Sequence, residues 1–160
     1  MSDIRIEVFS GDYSNSDAYN RVLGYIGQKA FVFGYGFSLD PNHTIIEQFQ
    51  QSEAESFYQN SQKIWHFILT FSRRWRVDNL LYLGELISSY FKNDYQVLCG
   101  LDTLGKNPHL HFGVNAFSYN PYIPVQDHNR MKACMAHIQK ELSLLYYLET
   151  ITLQFQGKVK

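Results

Sequence analysis

The segment from Tyr95 to Tyr119 constrains the fold of this chain more than any other part of its 160 residues. Two apolar runs flank a turn that contains glycine, asparagine and proline, which is the pattern of two antiparallel strands. Because side chains alternate faces along a strand, His109 and His111 share one face of the second strand. Gly113 and Asn115 continue that face, and the apolar residues between them occupy the other.

The His-x-His pair has two interpretations. Two imidazoles side by side on a rigid strand are typical ligands of a divalent metal. The alternative is two polar residues at a strand entrance, solvated or hydrogen-bonded to the preceding turn. The spacing of His109 and His111 leaves both open.

Length and cysteine usage indicate the class of protein. A chain of 160 residues suits a single domain, residues 1–160, which is large enough to be stable without disulfide bonds or a structural metal. Cys99 and Cys134 each lie in an apolar pattern, which favours buried thiols in a reducing cytoplasm over a disulfide framework. The amino-terminal residues lack the apolar core of a signal peptide, and no apolar run approaches the length of a membrane span. We therefore expect a cytoplasmic protein without a membrane partner.

Charge and aromatic content bear on nucleic-acid binding. The net charge of −1 argues against a protein that grips long duplex DNA, since such proteins usually carry a clear basic excess. It is compatible with single-stranded DNA, where aromatic stacking supplies more of the affinity, and aromatic residues make up 16% of this chain. The segment FSRRWR is suited to phosphates and a stacked base, its alternative being a solvated loop. The residues predicted to contact DNA are Arg73, Arg74, Trp75, Arg76, Asn115 and Tyr119.

Apolar periodicity predicts alternating strands and helices without repeats or linkers. The predicted strands are residues 3–9, 30–38, 64–72, the 95–119 hairpin and 149–156, and the predicted helices are residues 17–28, 40–58, 79–92 and 128–147. Asp40 and Pro41 begin the second helix, whose inward side includes Phe57, and Asp78 caps the third. With residues 3–9 as an edge strand and two helices in split βαβ crossovers, the class is α+β. We expect an antiparallel or mixed sheet of about five strands with helices packed on it.

Several segments then match a known family in order. They are VLGYIGQKA (22–30), VFGYGFS (32–38), WHFILTFS (65–72), YQVLCGLDT (95–103) and NPHLHFGVNAFSY (107–119). Together they resemble the catalytic domain of conjugative relaxases, the plasmid and transposon mobilisation nucleases of the HUH endonuclease superfamily, particularly its Gram-positive branch. The resemblance spans roughly residues 19–145, and the hairpin is its most specific part.

The resemblance implies a nicking and strand-transfer activity on single-stranded DNA at an origin of transfer, alone or with other mobilisation proteins. It also implies a tyrosine nucleophile and a divalent metal held by histidines, most simply Mn²⁺ or Mg²⁺. Tyr25 matches the nucleophile, and Thr70 matches a hydroxyl residue that helps hold the DNA near the cleaved bond. From the residues alone, Tyr25 could equally be an ordinary half-buried tyrosine and Thr70 an ordinary strand residue.

One position departs from the family pattern. Relaxases of this kind usually have a third histidine two residues before the aspartate that matches Asp102, and here that position is Gly100. Asp102 and His66 are the nearest candidates to complete the metal site, although His66 alone would more often be a core histidine. If the backbone tolerates a side chain at 100, Gly100→His should tighten metal binding. If Gly100 lies in a bulge with positive φ, the substitution should destabilise the fold.

Because Gly100 replaces the expected third histidine, two other functions remain open. The chain could be a degenerate relaxase homologue that binds DNA or a mobilisation partner as an accessory or regulatory protein. It could also be a plasmid replication initiator of the same superfamily, which would use similar chemistry on a different DNA substrate.

Overall fold

The computed structural model describes residues 4–9, 13–39, 42–72, 75–105, 107–146 and 151–156. Their order along the chain is β1 (Ile4–Phe9), α1 (Ala18–Ile26), β2 (Phe31–Tyr35), α2 (Ile45–Glu55), β3 (Ile64–Phe71), α3 (Val77–Ser88), β4 (Tyr95–Asp102), β5 (His109–Ser118), α4 (His128–Tyr146) and β6 (Ile151–Gln156). The α+β class is therefore confirmed. No helix in these ranges has the length and apolar character needed to cross a membrane.

The strands form one mixed sheet in the order β2-β4-β5-β3-β1-β6. All neighbours are antiparallel except β1 and β6, which are parallel. The sheet has six strands, in agreement with the expected sheet of about five, but β1 lies between β3 and β6 and not at the edge. Three helices, α1, α3 and α4, join parallel strands that are not neighbours, where the sequence predicted two such crossovers.

Each face of the sheet packs against its own pair of helices. The larger apolar cluster lies between the sheet and α3 and α4, and it takes Trp65, Phe67 and Leu69 from β3 together with Leu110 and Phe112 from β5. The smaller cluster lies on the opposite face, under α1 and α2. This division confirms the predicted alternation of both strands, and it places the histidines on the α1 and α2 side.

The helices follow their apolar stripes but not all of the predicted ends. In α1 the buried residues include Tyr19, Val22 and Leu23, as predicted. The second helix begins instead at a capping box formed by Thr44 and Glu47, and Asp40 and Pro41 lie outside the described residues.

Two further helix predictions are wrong. Phe57 lies beyond the end of α2 at Glu55 and is 69% exposed, because a residue after the last turn no longer follows the helical stripe. Asp78 lies in the first turn of α3, whose N-cap is Arg76.

Candidate active site

Two glycines allow the end of α1 to approach the sheet closely. A Cβ atom built on Gly100 would lie 2.9 Å from the backbone oxygen of Ile26, and one on Gly113 would lie 3.1 Å from the Ile26 Cδ1. Gly100 is paired regularly with His111, and its φ is not positive. The constraint at this position is therefore the α1 backbone, not a bulge.

This close approach brings Tyr25 over the histidines of the sheet. Its ring centroid lies 5.3 Å from that of His111 and 6.1 Å from that of His66, with edge-to-face orientations. The Tyr25 side chain is 46% exposed, whereas Ile26 beside it is fully buried. A residue at the margin of the apolar stripe thus contacts the site on one side and solvent on the other.

Three histidines lie together beneath this ring. His66 and His111 are nearly parallel, with centroids 5.9 Å apart, and His109 lies 6.2 Å from His111. The Tyr13 hydroxyl lies 3.1 Å from His66 Nδ1, within hydrogen-bonding distance, and fixes that ring. Within the described ranges, His66 Nε2, His109 Nδ1 and both nitrogens of His111 are buried without a hydrogen-bond partner. Such a concentration is unusual, because buried polar groups are nearly always paired.

The surroundings keep two of these imidazoles neutral. Burial, with a smaller contribution from the charge of Lys29, lowers the pKa of His66 to about 4. Burial and then the charges of His66, Lys29 and His109 lower the pKa of His111 to about 3. Neutral imidazole is the form that accepts a proton or binds a metal.

The chemistry of these histidine nitrogens suits a divalent metal. Unpartnered, neutral imidazole nitrogens on rigid strands are what such an ion requires, and Tyr13 would fix the ring of one ligand from behind. In the part of the chain that the structure describes, no three His, Cys, Asp or Glu side chains are already arranged around a common point. Side-chain rotation would therefore have to complete the site.

Lys29 and Asp102 lie on the other side of His111 from His66. The Lys29 Nζ lies 3.4 Å from the Asp102 Oδ2 and 3.8 Å from the centre of the Tyr25 ring. Burial acts to raise the pKa of Asp102, but the Leu104 N–H and the Lys29 ammonium outweigh it and hold the pKa below its usual value. Asp102 is thus engaged by Lys29 and by the Leu104 N–H.

Two residues at this site were not chosen as site residues from the sequence. Nothing in the sequence marks Tyr13, which follows a segment outside the described residues and reaches His66 only through the fold. The sequence did contain a signal for Lys29. It follows Tyr25 by four residues, so the two side chains would lie on the same side of the helix if α1 continued to Lys29.

The described residues that were predicted to contact DNA differ in their burial and hydrogen bonding. Asn115 is fully buried, and its amide donates to the Phe49 carbonyl and to Gln96 while it accepts from the Phe117 N–H. We therefore give it a structural role and leave it out of the DNA surface. Thr70 pairs with His109 across β3 and β5 and lies next to the cluster.

The other described DNA candidates are Tyr119, Trp75 and Arg76. The Tyr119 ring is 38% exposed, with its hydroxyl donating to the Lys92 carbonyl. Trp75 packs on Phe71, and Arg76 is exposed beside Asp78. Arg73 and Arg74 lie outside the described residues.

Comparison with known proteins gives one finding. The family model "Relaxase: MobA/VirD2-like, nuclease domain" matches residues 25–148, which is most of the chain and includes the four strands β2 to β5. No curated protein and no solved structure gives a significant match. The matched region begins at Tyr25 and contains all three clustered histidines, Lys29 and Asp102. The chain therefore belongs to the MobA/VirD2-like relaxase family, as a relaxase nuclease domain.

Proposed function

We propose that this protein nicks single-stranded DNA at an origin of transfer, with Tyr25 as the nucleophile. The observation that supports this most is the position of Tyr25, a half-exposed tyrosine over buried imidazoles with ring nitrogens that lack partners among the described residues. In a member of a nuclease family, this is where an attacking hydroxyl would lie beside metal-binding nitrogens and leave open access for a DNA strand.

The reaction is a phosphoryl transfer to the tyrosine. The Tyr25 oxygen forms a bond to the scissile phosphorus while the bond from phosphorus to the 3′ oxygen breaks. The phenol proton passes to solvent, and the 3′ oxygen takes up a proton from solvent. The products are a 5′-phosphotyrosine and a free 3′-hydroxyl, and the covalent bond keeps the strand available for religation.

His66, His109 and His111 are the residues that we propose as ligands of a divalent metal, Mn²⁺ or Mg²⁺. When bound, the ion would offset the negative charge of the phosphodiester and help to orient it. Asp102 is a weaker candidate, since it is engaged by Lys29.

The proposed substrate is a cytoplasmic single strand of plasmid or transposon DNA, with other mobilisation proteins as possible partners. We place the strand across the sheet surface next to Thr70, with Arg73, Arg74, Trp75, Arg76 and Tyr119 as outlying contacts. The rings and arginines of this set would bind bases and phosphates without strict sequence preference.

The test is covalent capture. A labelled single-stranded origin oligonucleotide with Mn²⁺ should give a protein–DNA adduct that survives denaturant, and Tyr25→Phe should abolish it because only the attacking hydroxyl is removed. Two controls, Tyr19→Phe and Tyr35→Phe, should retain the adduct. The Tyr19 hydroxyl is occupied by Glu53, and Tyr35 lies on the edge strand β2. A peptide map with the label on any other tyrosine would contradict the assignment of Tyr25.

A degenerate, DNA-binding homologue is the second candidate function. It is favoured by Gly100, where the close approach of α1 leaves no room for the usual histidine. If the protein binds the single strand but gives no adduct with Mn²⁺, Mg²⁺ or Zn²⁺, this candidate replaces the first. An adduct formed only on a replication origin would instead assign the protein to the replication initiators.

A further inference from the structure

We propose that Lys29 binds a DNA phosphate beside the Tyr25 ring, as a fixed cation at the position that Gly100 leaves open. The inference builds on the proposed function, because it assumes that a DNA strand reaches Tyr25. It assigns a role to a residue that the histidine pattern does not include.

The location of Lys29 follows from the absence of a side chain at Gly100. A Cβ atom on Gly100 would lie 3.0 Å from the Lys29 Cγ, so the aliphatic part of the lysine covers the glycine. A histidine at position 100 would occupy the same space. Gly100 and Lys29 thus form a pair in which the missing histidine makes room for a lysine stem.

The ammonium is directed into the site, not into solvent. Its side chain is only 12% exposed, and the Nζ lies over the Tyr25 ring as well as beside Asp102. Its charge also reaches the histidines, because it contributes to the lowered pKa of both His66 and His111. A positive charge enclosed in this way is less screened than one on the surface.

The hydrogen-bonding capacity of Lys29 is not used up. An ammonium has three N–H donors, and among the residues that the structure describes a single carboxylate, that of Asp102, accepts from it. A phosphate that approaches the edge of the Tyr25 ring therefore comes within reach of a cation whose donors are not all engaged. The pair with Asp102 keeps the ammonium in place before DNA binds.

The experiment measures how the affinity for labelled oligothymidine depends on salt, in the Tyr25→Phe background so that no cleavage occurs. Lys29→Met keeps the stem over Gly100 and removes the charge. It should lower affinity at low salt and reduce the slope of log K against log salt by about 0.7, the value for one phosphate contact on a single strand. Lys29→Arg should restore the slope.

The matched control is Lys132→Met, which removes an exposed lysine from α4 on the opposite face of the sheet and should leave the slope unchanged. A Lys29→Met protein whose affinity falls equally at all salt concentrations would show a structural role and overturn the proposal. An unchanged affinity would overturn it as well. Lys29→Gln replaces the methionine variant if the latter does not fold. Because no adduct is needed, failure of the nicking reaction remains a separate result.

Discussion

The two ends of one face of β5 contrast sharply in how they treat buried polar groups. Asn115 is fully buried and every polar atom of its amide has a partner, from α2, β4 or its own strand. His111, four residues earlier on the same face, is 2% exposed, and neither ring nitrogen has a hydrogen-bond partner among the described residues. The same strand therefore carries a polar group with all its partners at one end and, at the other, polar groups that lack partners among the described residues.

The difference lies in what each side chain contributes to the fold. The amide of Asn115 ties β5 to α2 through the Phe49 carbonyl and to β4 through Gln96, which also accepts from Ser52. An unsatisfied imidazole contributes nothing of this kind to the fold, and it costs stability to bury. A bound ligand or substrate would give the ring nitrogens of His111 the partners that they lack among the described residues.

The strongest test of this contrast is the same substitution at both positions. Asn115→Leu should cost about 2–4 kcal/mol of unfolding free energy, because it removes three buried hydrogen bonds and takes away the acceptor of the Phe117 N–H. His111→Leu should change stability by less than about 1 kcal/mol, because no hydrogen bond is lost. Urea unfolding in the presence of a chelator measures both. Equal losses at the two positions would remove the distinction.

Metal should act on the histidine end alone. At a Mn²⁺ concentration 100 times its dissociation constant, the wild type should gain about 2.7 kcal/mol by mass action. The double variant His109→Ala and His111→Ala should lose this gain, while an Asn115→Leu protein that still folds should keep it. The readout is the shift in melting temperature with Mn²⁺, Ni²⁺ or Zn²⁺. If saturating metal leaves the melting curve of the wild type unchanged, the histidines are ordinary polar residues and not metal ligands.

The smallest effect concerns the spacing between α1 and the sheet. Gly100→Ala should destabilise by about 1–3 kcal/mol, because its Cβ meets the Ile26 backbone and forces α1 outward. Gly24 lies in α1, and a Cβ atom there would meet nothing within 4 Å. Gly24→Ala should therefore stabilise the protein by about 0.5–1 kcal/mol. Thermal melts of the two alanine variants measure this. If both gained stability, α1 would lie farther from the sheet than described.

The sequence predicted best what local geometry controls. Strand alternation placed His109 and His111 on the face opposite Phe112, and helical periodicity placed Val22 and Leu23 of α1 in the core. It failed where the end of an element mattered, as with the exposed Phe57. The position of β1 inside the sheet also escaped it, since an alternating strand of this length does not reveal how many neighbours it has.

The sequence by itself determined the class of fold, the shared face of His109 and His111, and the resemblance that the family match confirmed. These follow from periods of two and 3.6 residues and from a local motif, which need no long-range information. Only the tertiary structure decided that His66 joins the cluster, that Tyr25 lies over it and that Lys29 covers Gly100. Each of these depends on strand register and on how closely α1 packs on the sheet, and both are set by contacts between residues far apart in the chain.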